Sequence, residues 1–210
     1  MPENMPSHTP AQAWREMLAG NERFVSGQPR HPRQDVERRT ELALKQAPDA
    51  ALFGCSDSRL AAEIIFDLGI GDLFVVRNAG QIISDSVIGS LEYAVGVLEV
   101  PLIVVLGHDE CGAVRAAIDS QGAEAPVLPP HIGRLIEKIV PAVHRVAKIT
   151  PDHIDSQDVG REHLRDTIAE LLESSELISD AVAAGTLAVV GANYRLLEGR
   201  AVPDVIVGAV

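Results

Sequence analysis

Two aliphatic runs of strand length constrain this chain most: Ala50-Ala51-Leu52-Phe53 and Leu102-Ile103-Val104-Val105-Leu106. Each leads straight into a peptide dense in reactive side chains, the first into Cys55-Ser56-Asp57-Ser58-Arg59 and the second into Gly107-His108-Asp109-Glu110-Cys111. Both cysteines of the chain lie in these two peptides. Unbroken aliphatic runs of this kind fit parallel strands covered on both faces. Parallel strands bring their carboxyl ends to one edge of a sheet, and ligands bind in the crevice there. Two thiolates and one imidazole can therefore meet at a point with Asp57 beside them. That is a tetrahedral zinc set whose fourth position is open to water or filled by a carboxylate.

The rest of the chain alternates helix and strand. Trp14, Met17, Leu18, Phe24 and Val25 form an imperfect helical stripe behind a Thr9-Pro10 start signal. A basic linker, 27–33, precedes a second helix expected to run to about Gln46. Strands are expected over 48–55, 72–77, 101–108 and 186–192. Helices are expected over 61–67 and 84–99 and from Cys111 to Asp119, with two polar helical stretches between 131 and 183. Residues 120–130 read as a loop, and 196–207 as a closing hairpin around Gly199. The fold class is α/β, a mainly parallel central sheet flanked by helices. Residues 1–210 read as a single domain, with an N-terminal helical arm over about 1–46 and a zinc-binding core over about 47–210. The arm precedes the first strand and has an apolar stripe to bury, for which a partner subunit is a candidate cover.

Composition narrows the function. The net charge of −12, from 30 acidic against 18 basic residues, disfavours both nucleic acid and anionic membrane as partners. Residues 1–10 lack the basic and apolar segments of a signal peptide, and the apolar runs are too short to cross a bilayer. The expected setting is cytoplasmic, where thiols stay reduced and a cysteine pair binds metal or does chemistry.

The residues by themselves leave alternatives open. Two distant cysteines can be small buried apolar residues, and His108 can be a hydrogen-bonded core histidine. His108-x-x-Cys111 is nonetheless a workable metal spacing, and both peptides end strands. A redox pair lacks the close C-x-x-C spacing. The other histidines (His8, His31, His131, His144, His153 and His163) fall in loops or polar helices and read as surface residues. Gly69-Ile70-Gly71 is a turn, since no G-x-G-x-x-G pattern follows a strand.

Taken together, these motifs resemble the β-class carbonic anhydrases from about Trp14 to Gly199. The family's Cys-x-Asp-x-Arg stands here as Cys55, Asp57 and Arg59, and its His-x-x-Cys as His108 and Cys111. Phe74-Val75-Val76-Arg77-Asn78-Ala79-Gly80 and Leu91-Glu92-Tyr93-Ala94-Val95 match family segments in the same order. The resemblance implies zinc-dependent reversible hydration of carbon dioxide to bicarbonate and a proton, in a homodimer or dimer of dimers. It implies one Zn²⁺ per chain on Cys55, His108 and Cys111, and a catalytic dyad of Asp57 and Arg59. In closed forms of the family the aspartate, here Asp57, moves onto the metal. Gln46 matches a glutamine that binds substrate from the facing subunit, and Phe74, Ala79 and Tyr93 match an apolar substrate pocket. Ala79 departs from the valine usual in that branch.

A second departure concerns regulation. The bacterial branch that binds inhibitory bicarbonate away from the metal uses a tryptophan, an arginine and a tyrosine. Arg77 and Tyr194 match two of these, but Leu52 stands where the tryptophan would be. With Gln46 present, the chain resembles the open, plant-like type. Hydrolysis of carbonyl sulfide or carbon disulfide on the same scaffold, or metal binding without catalysis, are the rival functions. The resemblance leaves the proton shuttle unassigned.

Overall fold

The computed structural model describes residues 8–150 and 153–210, so most of the N-terminal segment read above for a targeting signal lies outside the described residues. Helix α1 (Pro10–Val25) starts at Thr9, whose hydroxyl accepts from the Gln12 amide while the Gln12 side chain accepts from the Thr9 amide. This reciprocal cap satisfies two orphan donors at the helix start. A short α2 (Val36–Glu41) follows, then β1 (Ala50–Cys55), α3 (Ala62–Ile65), β2 (Leu73–Asn78), α4 (Asp85–Gly96), β3 (Leu102–His108) and α5 (Gly112–Asp119). Four helices come next, α6 (Pro130–Glu137), α7 (Val140–Ile149), α8 (Ser156–Ser174) and α9 (Glu176–Ala183), before the closing β4 (Ala188–Arg195) and β5 (Arg200–Val207).

The five strands form one sheet in the order β2-β1-β3-β4-β5. The first four are parallel, and β5 returns antiparallel to β4 as the expected hairpin. The crossover from β1 leads out to β2, and the next returns past β1 to β3. The sheet therefore changes winding direction between β1 and β3, which is where α/β sheets open a ligand crevice at their carboxyl edge. Alternate residues of each strand feed two separate cores, as a two-residue side-chain period requires. Ala50 and Leu52 of β1 join Leu102, Val104 and Leu106 of β3 on the face covered by α1, α3 and α5 to α7. Ala51 and Phe53 join Ile103, Val105 and Val189 on the face covered by α4, α8 and α9.

Three expectations need correction. The second helix ends at Glu41, not near Gln46, and buries none of its residues. A six-residue helix with no apolar face to pack has nothing to offset the cost of nucleation. The two polar stretches between 131 and 183 are four helices, because Pro141 starts one of them and Ser175 ends α8 and caps α9. The arm's stripe is covered by its own chain, with Trp14 and Met17 buried in the first core.

Helix α1 approaches the α3 region so closely that a Cβ on Gly20 would lie 1.8 Å from the Phe66 carbonyl oxygen. Backbone cannot yield as a flexible side chain can. Gly20→Ala should lower stability by about 1–3 kcal/mol, typical of overpacking. The measurement is the urea midpoint at unchanged m-value, and an unmoved midpoint would show that α1 can shift without penalty.

Candidate metal centre

Register puts the sequence-predicted ligands together. β1 pairs with β3 so that Gly54 faces Leu106, and the next residues along each strand are Cys55 and Gly107, with His108 one step on. The chain then turns through Asp109 and Glu110 to Cys111, which immediately precedes α5. The turn is tied to β4: the Asp109 amide donates to the Tyr194 carbonyl, and the Leu196 amide donates to Asp109 Oδ1 at 2.9 Å. Ligand atoms of Cys55, His108 and Cys111 all lie within 4.8 Å of one another, and all three residues are buried.

The donor set fits a divalent cation. His108 Nδ1 is 2.7 Å from the Asp109 carbonyl, which can only accept, so Nδ1 carries the proton. Its Nε2 is left buried with no hydrogen-bond partner, a lone pair whose natural partner is a metal. The two sulfurs are unequal. A hydrogen bond from Cys111 holds the Cys55 thiol well below its usual pKa against the opposing effect of burial, with the Gly80 amide adding to the lowering. Cys111 is pushed up by the same contact and by burial. Two adjacent buried thiols cannot both ionise unaided. Cys55 and Cys111 would hold a dication as thiolates, and the start of α5 favours the Cys111 thiolate.

Beside the cluster, Arg59 grips Asp57 through Nε to Oδ1 at 2.9 Å and Nη2 to Oδ2 at 2.7 Å. The Arg59 amide adds a third bond to Oδ1 at 2.9 Å. Arg59 Nη2 also reaches the Glu110 carbonyl at 3.2 Å, tying the two ligand peptides together. The Arg59 side chain is the largest cause that holds the Asp57 carboxyl far below the usual range, while burial opposes it.

The residues matched to a substrate pocket lie at an open edge. Phe74 and Tyr93 have ring centroids 6.0 Å apart, Tyr93 is 43% exposed, and Ala79 is exposed just past β2. Gln46 is exposed on the coil before β1, at the opposite edge of the sheet from Cys55. Of the anion-site positions, Leu52 and Tyr194 are buried. Arg77 donates to the Cys55 carbonyl at 2.9 Å and the Asp57 carbonyl at 2.6 Å.

Sequence reasoning missed this Arg77 clamp on the Cys55–Asp57 peptide. It also missed the Gly80 amide, which donates to Cys55 Sγ at 3.3 Å. His163, expected at the surface, is buried, with Nε2 2.8 Å from the Gly80 carbonyl. The signal was available in the spacing of Val159, His163, Leu164, Thr167, Ile168 and Leu171, one helical face of α8.

Comparison with known proteins agrees with this geometry. A family model described as carbonic anhydrase matches residues 50–201. The chain is 48% identical over 198 residues to "Carbonic anhydrase 2" of Mycobacterium tuberculosis, covering 94% of each chain. It is 47% identical over 196 residues to a carbonic anhydrase of Mycolicibacterium smegmatis, covering 93% of this chain and 94% of that one. Among solved structures, a β-carbonic anhydrase of Sordaria macrospora, one of two described as tetrameric, superposes with a TM-score of 0.70 at 25% identity, covering 90% of this chain and 95% of that one.

The paired state of Asp57 can be tested directly. Its folded pKa is depressed, so the pair stabilises the fold wherever an ordinary carboxylate is ionised, and that contribution fades as pH falls toward the depressed value. In Arg59→Gln the Asp57 carboxyl should titrate near the ordinary value of about 4, read by carbon-13 NMR. In the parent it should stay ionised well below that pH. An unchanged titration in Arg59→Gln would show that another group holds the charge.

Proposed function

The chain belongs to the β-carbonic anhydrase family, and from that premise we propose that it interconverts carbon dioxide and bicarbonate at one Zn²⁺ per chain held by Cys55, His108 and Cys111. The observation that carries this reading is the buried cluster of two sulfurs and an unpartnered imidazole nitrogen. Zinc in such a set supplies the Lewis acidity that makes a nucleophile of water near neutral pH.

The protein's own groups do the positioning. Asp57, kept ionised by Arg59, accepts an O–H of the attacking water on its remaining lone pairs and turns a water lone pair toward carbon dioxide. The planar fork of Arg59 meets both carboxylate oxygens, which a lysine ammonium cannot do. Phe74, Ala79 and Tyr93 line an apolar edge that suits a small uncharged substrate and that a second subunit would close against bulk water. Gln46 donates its amide to a substrate oxygen.

Gln46 does so in a neighbouring subunit. The six residues of β1 rise about 3.3 Å each, so Gln46 and Cys55 of one chain stand at opposite edges of the sheet. A second copy packed against the β2 edge brings one chain's Gln46 to the other's cluster and covers Tyr93, Ala79 and the fully exposed Leu44. The functional unit is thus a homodimer or a dimer of dimers. Among the described residues no helix is long and apolar enough to cross a membrane. A cytoplasmic setting, which keeps Cys55 and Cys111 reduced, suits the site.

Two measurements test the reading. Zinc analysis should return one ion per chain in the parent. Cys111→Ala should lose both the metal and the acceleration of carbon dioxide hydration followed by stopped flow, and full metal occupancy in that variant would sink the ligand assignment. The second measurement mixes inactive subunits. Gln46→Ala should lower turnover by roughly 100-fold, as loss of a substrate-orienting donor does. Reassembling Gln46→Ala with Cys111→Ala should restore about one quarter of parental turnover, since half of randomly formed dimers carry one complete site. No recovery, with subunit exchange shown by mass spectrometry, would place Gln46 outside the partner's site.

A further inference from the structure

His163 is a buried titratable group that the reaction does not use. It lies on the inner face of α8 at 3% exposure, and its Nε2 is 2.8 Å from the Gly80 carbonyl oxygen. A carbonyl only accepts, so Nε2 carries the proton and Nδ1 is the bare lone pair. Nδ1 is buried without a hydrogen-bond partner. Burial holds this imidazole below the ordinary histidine range, so it is neutral and fixed as the Nε2–H tautomer.

The Gly80 carbonyl it grips belongs to a turn with a second contact. The Gly80 amide donates to Cys55 Sγ at 3.3 Å. The flanks of the turn are tied separately, since the Asn78 side chain bonds both the Ile82 amide and carbonyl, at 2.8 Å and 2.7 Å. Gly80 itself stands at φ +81°, and a Cβ there would lie 2.8 Å from the Ala113 methyl. A glycine with this freedom can rotate its peptide planes unless something holds them. Among the described residues, His163 is the side chain that bonds its carbonyl.

We propose that His163 is a positioning residue for the metal centre, holding the Gly80 carbonyl so that the Gly80 amide stays aimed at Cys55 Sγ. The inference rests on the metal-site reading above. A hydrogen bond to a ligating thiolate withdraws electron density from sulfur and tunes the metal it binds. Thr167, one turn along α8, donates to the His163 carbonyl at 2.8 Å. Gln81, next to Gly80, is buried at φ +42°. The contact thus sits in a closely packed layer between α8 and the sheet edge.

Two variants separate positioning from packing. His163→Leu fills the same space with an apolar side chain of similar size and has no donor. His163→Gln can place its amide nitrogen where Nε2 sits. The readouts are zinc transfer to a chelator and the thiolate-to-metal charge-transfer band of the cobalt(II) protein. His163→Leu should release zinc about 10–100-fold faster, the usual scale for losing an outer partner of a metal ligand. Its band should move to lower energy as the sulfur becomes richer in electrons. His163→Gln should stay within about twofold of the parent, with an unmoved band, if the donor alone matters. Parental behaviour of His163→Leu in both readouts overturns the proposal, and so does equal impairment of both variants. Should His163→Leu not fold, as judged by circular dichroism, His163→Asn replaces it, because its amide nitrogen reaches only the Nδ1 position. Equal behaviour of the Gln and Asn variants then overturns it. Zinc content of the parent is measured first, so a failure of the metal-site reading is seen separately.

Discussion

β1 and β3 are neighbours because the chain leaves β1 for the outer strand β2 and then returns past β1, and everything at the centre depends on the register of that pair. Leu52 opposite Val104 and Gly54 opposite Leu106 determine where Cys55 and His108 end. A slip of one residue would move the ligands by about 3.3 Å along the strand, against a metal-ligand tolerance of about 0.2 Å. The same slip would turn Leu52 and Phe53 to the wrong faces. The two cores therefore guard the metal site: the aliphatic packing that makes the sheet stable also makes its register unique. Precision at the carboxyl edge comes from apolar packing in which Cys55 and Cys111 themselves take part, as members of the first core.

That edge carries a concentration of polar groups that apolar packing cannot satisfy. Burying a thiolate or a carboxylate is costly unless hydrogen bonds and opposite charge compensate it. Two of the acidic groups here have such partners: the Gly80 amide for Cys55, and Arg59 for Asp57. Arg77 takes up the Cys55 and Asp57 carbonyls, and the β4 end holds Asp109. What stays without a partner beside the sulfurs is the Nε2 of His108, while the Cys111 thiol is pushed up by its contact with Cys55 and by burial; these are the groups a dication would claim. The orphaned atoms and the metal requirement are two views of one electrostatic condition.

The strands were legible because buried parallel strands announce themselves as aliphatic runs, and Cys55 and Cys111 could be placed from where those runs stop. The α1 start was legible from Thr9 and Pro10, since its cap is made by local side chains. Less could be read where tertiary contacts decide. Ala43 to Gln46 are acceptable helix residues, yet α2 ends before them because no core lies within reach. His163 read as a surface residue because α8 is polar on average; its neighbours Val159 and Thr167 share the buried face. The Gly80 amide left no trace in composition or spacing, because any residue carries an N–H and only the fold aims it.

The shape of one chain also bears on how the site is finished. β2 is an edge strand whose residues are half-buried at best, unlike the fully buried β1 and β3. Phe74 and Tyr93 lean together beside it without closing a pocket. An open, partly apolar edge is a liability for a sheet unless something covers it. Arg33 and Arg38 lock the linker ahead of Gln46 onto buried Asp72, so this exposed segment is fastened to the fold. If Gln46 serves the chemistry as proposed, its place on the exposed coil before β1, at the other edge of the sheet from Cys55, requires that it do so from another subunit. On this reading assembly completes the active site, and the stability of the dimer and the competence of the metal centre are coupled through the same surface.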